Sequence, residues 1–480
     1  MKLKRTLTAA AAVMLLLFPT LQACAEDAPA LGDLNGDGLV NASDAADVLI
    51  AAAKLGAAGE HGLTEAQAAA ADLNADGVIN ASDAALILGY AAYIGAGGDM
   101  SVQLYAAGAR RIDAVYLGVV NWGAPETKLE NVDNFTYHFD VDGEEQIYRI
   151  DNSPTHPNGS RSYPVQNTLK QNYHFCLTVV GDTIIEAVET ETDLPEYTPQ
   201  IAGTPGLHTI RNFLTVAMEP IGTTVYMFGG GWNFADNGSV SHTQTIGVSP
   251  DWVRFWQEHD ANYTYRDKYG KSIYKDPPNS YYPYGGFNEY YYAGLDCSGY
   301  VSWALYNTMY DVSGNEGYVG KSTFMAKRFE SYGWGTWEHT FPTPDGTPEK
   351  AMKPGDIMSM NGHVWISLGT CSDGSIVIVH STPSDSHLGQ PGGGPQIGAV
   401  GKSESCEAYQ LADHYMKTYF PEWCARYKTT LKSTGYLSVN GNTETGRFRW
   451  NTEDPLTDPE GIQEMTAGEA LALIFDETDQ

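Results

Sequence analysis

The feature that most constrains this chain is a twelve-residue segment that occurs twice. Asp33-Leu-Asn-Gly-Asp-Gly-Leu-Val-Asn-Ala-Ser-Asp44 and Asp72-Leu-Asn-Ala-Asp-Gly-Val-Ile-Asn-Ala-Ser-Asp83 agree at nine of twelve positions, with an offset of 39 residues. Oxygen-bearing side chains stand at loop positions 1, 3, 5, 9 and 12: Asp33, Asn35, Asp37, Asn41 and Asp44, then Asp72, Asn74, Asp76, Asn80 and Asp83. Position 6 is glycine, which permits the sharp turn, and position 7, Leu39 or Val78, offers its backbone carbonyl. A hard cation with six to eight oxygen ligands requires this donor set, and calcium is the natural guest. Position 12 is aspartate where an EF-hand has glutamate. Each loop leads into a short stretch expected to be helical, residues 45–55 and 84–94.

The two loops and their helices, residues 31–94, resemble a type I dockerin, the module that plugs enzymes into a cohesin-bearing scaffold. In that family loop positions 10 and 11 help read the cohesin partner. Here they are Ala42-Ser43 and Ala81-Ser82, the same pair twice, so the resemblance implies that either half docks, turned by half a rotation. It also implies two bound Ca2+ ions and an extracellular, cellulosome-associated protein. Dockerins more often sit at a C-terminus; this one is expected just after an export signal.

That signal is expected over residues 1–25. Lys2, Lys4 and Arg5 precede an apolar run from 8 to 18, too short to span a bilayer but of the length of a signal-peptide core. Leu21-Gln22-Ala23-Cys24 has the shape of a lipoprotein cleavage box, and Ala23-Cys24-Ala25 also fits an ordinary signal peptidase. Lipidation of Cys24 and simple secretion therefore both stay open. No later stretch approaches ~20 uninterrupted apolar residues, so no membrane span is expected. With 59 acidic against 28 basic residues and a net charge of −31, no basic stripe is available for a phosphate backbone, which excludes nucleic acid as a partner. Six cysteines without a CxxC pair make neither a small disulfide scaffold nor a zinc or redox motif.

Glycines 95, 97 and 98 form a flexible joint. Beyond it, Phe135, Tyr137, Phe139 and Val141 alternate with polar residues up to Asp142-Gly143, and Ile147, Tyr148 and Ile150 follow, the pattern of a hairpin. A second hairpin is expected from Phe175 to Val179 and back through Ile184 and Ile185. Residues 101–198 thus read as a small all-β domain of unknown role, with Cys176 in its core. Residues 205–432 read as mixed α and β, interrupted by an insertion at 232–292, and residues 433–480 as a C-terminal extension. Within the extension, Thr466 and Glu469 form a capping box that opens a helix.

In the mixed region, Val301, Ala304, Leu305 and Met309 follow Cys297 with helical spacing, so Cys297 is expected to open a helix. A cysteine there is favoured as the thiolate by backbone N–H groups and the helix dipole. A nucleophile needs a base, and the base an orienter. Lys353-Pro-Gly-Asp356 leads into His363-Val-Trp-Ile-Ser-Leu-Gly369, a polar turn, and Ser375-Ile-Val-Ile-Val-His380. Centring that hairpin near Cys371-Ser372 places His363 opposite His380. Cys406 and Cys424 flank a helical stretch and offer a disulfide.

In order, Tyr226-Met-Phe-Gly-Gly, Leu295-Asp-Cys-Ser-Gly-Tyr300, Lys353-Pro-Gly-Asp-Ile357, the His363 strand and Val379-His-Ser381 resemble the NlpC-type cell-wall cysteine peptidases, a rearranged papain-like α+β family. The resemblance implies Cys297 as nucleophile, His363 as base and later acid, and His380 as orienter, with no catalytic cofactor. It further implies that Asp296 and Ser298 grip the free amino end of a stem peptide and that Tyr226 aids the oxyanion. Tyr284, in a Tyr284-Gly285-Gly286 run that ends eleven residues before Cys297, is a rival for that tyrosine. The insertion between Gly231 and Cys297 is far longer than the family's, and ten of the thirty residues 263–292 are tyrosine. The chain is therefore expected to be multidomain: a helical dockerin with two calcium loops, a small all-β domain and a papain-like catalytic domain. The expected activity is hydrolysis of peptidoglycan stem peptides beside D-glutamate through a Cys297 thiolate and an acyl-enzyme. A peptidase or acyltransferase acting on non-wall protein, and a non-catalytic scaffold component, are the alternatives.

Overall fold

The computed structural model describes residues 29–121, 135–150, 168–231, 246–258, 290–310, 320–339, 351–383, 393–437, 439 and 442–477. The signal peptide, Cys24, Tyr284 and most of the 232–292 insertion lie outside the described residues. Contacts divide the chain into two units, residues 1–111 with 178–183, and residues 112–177 with 184–480.

The first unit holds α1 (Ala42–Ala58), α2 (Glu65–Ala71), α3 (Ala81–Gly95) and α4 (Val102–Ala106). α1 and α3 begin three residues before the expected starts. Asn41 and Asn80 cap them, and Asp44 and Asp83 return the bond to the cap backbone, so the ends of the loops are also the first turns of the helices. Leu34, Val48, Leu73 and Ile87 form the small core between them.

Five strands follow: β1 (Arg110–Asn121), β2 (Phe135–Val141), β3 (Glu144–Ile150), β4 (His174–Val180) and β5 (Thr183–Glu189). They close into a barrel in the order β1-β2-β3-β5-β4. Asp142 and Gly143 turn the first hairpin with φ of 56° and 84°, the pair of positive values that a two-residue loop needs to match strand twist. Tyr137, Phe139, Phe175, Leu177 and Val179 are buried. Cys176 alternates away from Phe175 and Leu177 and is half-buried, which corrects its expected place in the core.

The mixed part comprises α5 (Ile210–Met218), α6 (Pro250–Glu258), α7 (Cys297–Met309), α8 (Met325–Ser331), β6 (Gly335–Glu338), β7 (Ile357–Met360), β8 (His363–Thr370), β9 (Ile376–Pro383), β10 (Gly393–Val400), α9 (Glu407–Tyr419), α10 (Pro421–Arg426), β11 (Leu431–Lys432), β12 (Gly446–Trp450) and α11 (Ala467–Ile474). The strands form one sheet in the order β11-β10-β9-β8-β7-β12-β6, and α7, buried at Cys297 and from Tyr300 to Met309, lies in the core that covers it. The boundary drawn at residue 432 does not hold, because β12 inserts between β7 and β6. Arg449 of β12 grips Asp356, with Nε 3.0 Å from Oδ1 and Nη2 2.7 Å from Oδ2. The C-terminal residues are therefore part of the sheet rather than an extension.

The barrel and the mixed part share an ionic cluster in which Lys170 and Asp251 are buried and Glu189 is exposed. Lys170 Nζ lies 2.8 Å from Glu189 and 3.0 Å from Asp251, and the Tyr173 hydroxyl donates to Asp251. Cys406 and Cys424 are free thiols. Cys406 caps the start of α9 while Cys424 sits in α10 beyond its far end, so the disulfide that their flanking positions suggested is not formed.

Candidate active site and calcium loops

Cys297 is the first residue of α7 and is 5% exposed. Asp296 caps the helix: its Oδ1 accepts from the Gly299 N–H at 2.7 Å and from the Ser298 hydroxyl at 2.9 Å, while Oδ2 accepts from the Gly229 N–H at 3.1 Å. The Gly229-Gly230-Gly231 run is thereby pinned to the helix start. Glycine is required where the two meet, since a Cβ at Gly299 would collide with the Gly230 carbonyl and one at Gly294 with the Val225 carbonyl. Ser381, next to His380, donates to the Leu295 carbonyl at 2.6 Å and ties β9 to the same helix start.

The hairpin forms as expected, with a different register. Ile366 pairs with Val379 and Ser367 with Ile378, and a bulge follows before Gly369 pairs with Val377. Near the histidines the register therefore lies two residues from the expected one, and His363 is not directly opposite His380. A shift by an even number keeps both side chains on one face. His363 Nε2 stands 2.9 Å from His380 Nδ1, and the rings meet edge to face with centroids 5.1 Å apart.

Burial pushes the Cys297 thiol well up, and the Asp296 carboxylate adds to this; the N–H groups of Val364 and Ser298 pull in the other direction. The contact with Val364 places the sulfur at the start of β8, beside His363. Burial also pushes His363 down to about 3, with the Lys432 charge adding, and holds His380 well below the ordinary imidazole range. The closed site thus favours a neutral thiol and two neutral imidazoles. This differs from the thiolate expected from the helix dipole alone, because desolvation outweighs the dipole in a covered site.

Tyr436 contributes to that cover. Its ring centroid lies 5.3 Å from that of His363 and 6.2 Å from that of His380, and Lys432 Nζ stands 5.5 Å from the ring centre. Burial raises the phenol, with Cys297 adding and a hydrogen bond from Thr382 opposing. Sequence reasoning missed Tyr436, Lys432, Thr430 and Gln396. The one available signal was Gln396, a lone amide in an apolar strand that must find a partner.

The residues singled out from the sequence meet at one place only in part. Cys297, His363 and His380 come together. Asp296 and Ser298 are adjacent to Cys297, but their polar atoms bond to each other and to the backbone. Tyr226 is buried, and its N–H donates to the Gly393 carbonyl at 2.8 Å.

The calcium loops are built alike. Asp33 Oδ1 accepts from Gly36 N–H at 2.8 Å, Asn35 Oδ1 from Asp37 N–H at 2.8 Å, and Asp44 from Leu34 and Asn41 N–H at 2.9 Å each. In the second loop Asp83 accepts from Leu73 N–H at 3.0 Å and Asn80 N–H at 2.9 Å. Asp33, Asp44 and Asp83 are buried, and among the described residues no lysine, arginine or histidine pairs with any loop carboxylate. Buried carboxylates need a counter-charge, and a calcium ion held by these oxygens fits that need. Ala42, Ser43, Ala81 and Ser82 are exposed.

A family description, the dockerin type I domain, matches residues 31–90, and no family matches the remainder. Residues 31–90 are a type I dockerin domain, a family that binds calcium and docks to cohesin. No curated protein matches the chain. Among the described residues no helix is long and apolar enough to cross a membrane.

Proposed function

We propose that the chain is a secreted, scaffold-docked cysteine peptidase that cleaves amide bonds, with peptidoglycan stem peptides beside D-glutamate as its substrate. The observation that carries this reading is the 2.9 Å contact of His363 Nε2 with His380 Nδ1, set beside a cysteine at a helix N-terminus. With Nε2 engaged, Nδ1 of His363 is the nitrogen left to exchange a proton with Cys297. Substrate entry opens the site. The thiol proton passes to His363, Cys297 Sγ bonds the amide carbon, and the carbonyl electron pair moves to oxygen. The N–H groups at the start of α7 face that developing charge. Collapse expels the amine, which takes the proton from His363, and water then releases the acyl group by the reverse sequence. The sheet with α7 packed on it supports a papain-like arrangement.

The dockerin carries the chain to a cohesin, and thus to an extracellular, cellulosome-type assembly. Asp33, Asn35, Asp37, Leu39, Asn41 and Asp44 hold one Ca2+, and Asp72, Asn74, Asp76, Val78, Asn80 and Asp83 the other; the ions complete the loops that start α1 and α3. Ala42, Ser43, Ala81 and Ser82 face the cohesin.

Mass spectrometry of defined stem peptides and of casein, incubated with calcium-loaded protein beside Cys297→Ala, tests the reading. Stem-peptide cleavage lost in the variant supports it. Casein cleavage alone keeps the mechanism and replaces the substrate. Cleavage of neither, with cohesin binding intact, overturns the enzyme reading.

A further inference from the structure

The contact between the two histidines does not end at His380. His380 Nε2 lies 3.2 Å from Thr430 Oγ1, and the same oxygen lies 3.2 Å from Gln396 Nε2. His380 and Gln396 are 0% and 1% exposed, and they stand directly opposite each other across β9 and β10. Thr430 immediately precedes β11, which runs parallel to β10. Its hydroxyl reaches the imidazole through the space that Gly398 leaves open: a Cβ there would stand 2.7 Å from Thr430 Oγ1 and 3.3 Å from His380 Nε2.

One proton lies between His363 Nε2 and His380 Nδ1, and which ring donates it decides whether His363 can act as a base. A threonine oxygen has two acceptor lone pairs, whereas an amide nitrogen only donates. The Gln396 N–H occupies one lone pair of Thr430 and holds the oxygen in place, which leaves the second lone pair to accept from His380 Nε2 or the hydroxyl proton to donate to it. We propose that Thr430, held by Gln396, is a positioning residue that keeps the His380 proton on Nε2. His380 Nδ1 is then the acceptor, His363 Nε2–H the donor, and His363 Nδ1 keeps the lone pair that faces proton transfer. The inference rests on the reading above in one respect, that His363 Nδ1 takes the Cys297 proton. Among the described residues, Lys432 and Tyr436 also stand near the two rings, and Cys297 lies beside His363.

The test uses full-length protein labelled with 15N-histidine. The wild type should show a protonated Nε2 and an unprotonated Nδ1 on both His363 and His380, assigned with single His→Gln variants. Thr430→Val should give mixed tautomers at His380, and Thr430→Ser should restore the single form. The cysteine-dependent burst of p-nitrophenolate from p-nitrophenyl acetate should fall at least about tenfold in Thr430→Val, short of the ~10⁴ lost when a triad's orienter enforces the wrong tautomer, and recover in Thr430→Ser. A wild-type His363 protonated on Nδ1 overturns the proposal without any variant, and so does a folded Thr430→Val with unchanged shifts and burst. The expected shifts together with a burst that persists in Cys297→Ala uphold the relay and overturn the peptidase reading.

Discussion

Asp296 separates a capping role from a substrate-gripping one, and Asp296→Asn tests both at once. Asparagine remains a good N-cap, so the bonds from Gly299 N–H and the Ser298 hydroxyl at 2.7 and 2.9 Å are kept. Two things change. The amide NH2 now faces the Gly229 N–H that donates at 3.1 Å in the wild type, and an orphaned donor of this kind costs roughly 1–3 kcal/mol. For a folding unit of this size that lowers Tm by about 2–6 °C. The substitution also removes the negative charge that holds the Cys297 thiol up. With the two charges taken as ~6 Å apart and an effective dielectric near 20, the interaction is about 3 kcal/mol, and its loss favours the thiolate roughly a hundredfold. Thiolate nucleophilicity falls with pKa at a Brønsted slope of about 0.5, so the net gain in alkylation rate is ~10-fold. The assay is iodoacetamide labelling of the Cys297 peptide, followed by mass spectrometry from pH 6 to 9, beside thermal unfolding. Faster labelling with a lower Tm is expected. Unchanged labelling and Tm, with only KM affected in a peptidase assay, would refute the capping argument and return Asp296 to the substrate.

Three further outcomes follow from the same structure. Asp356→Ala leaves Arg449 without its carboxylate in a buried setting and should cost about 3–5 kcal/mol, a Tm loss of roughly 6–10 °C in calorimetry. Because the folded His363 is held down to about 3, its neutral burial stabilises fully above the unfolded value near 6.5, and that contribution is lost as pH falls from there toward 3; His363→Gln should flatten the pH dependence of Tm across that window. Chelation of calcium should reduce the far-UV helical signal of the dockerin, and Asp44→Ala should weaken calcium binding at least tenfold by calorimetry, with Asp83→Ala matching it because both aspartates make the same bonds.

Much of the fold was legible because its signals are local. The calcium loops, the Asp142-Gly143 turn, the Thr466 capping box and the hairpin that carries His363 each lie within a dozen or so residues, where residue type and backbone geometry determine each other. The register was off by two because the turn is centred near Asp373 rather than Cys371-Ser372, which moves the pairing by three, and the bulge between Ser367 and Gly369 takes one back. β12 was not legible, since a five-residue strand between β7 and β6 is specified by partners about a hundred residues away, among them the Asp356–Arg449 pair.

The site divides along the same line. Cys297 could be placed at a helix start from the spacing of Val301, Ala304 and Leu305, and the histidines on one face from strand period, because an even slip leaves the face unchanged. What surrounds them comes from elsewhere in the chain: Gln396 from the next strand, Thr430 and Lys432 from the sheet edge, and Tyr436 just beyond. These residues carry no motif, and the Lys432 charge adds to the burial that holds both imidazoles down. The helix dipole favours a thiolate at Cys297, yet burial outweighs that preference and the Asp296 charge adds to the effect of burial. Of the four surrounding groups only Tyr436 lies in the region that the sequence pattern left as an extension; Gln396, Thr430 and Lys432 fall inside the mixed region as drawn from the sequence, yet on segments that carry none of its motifs.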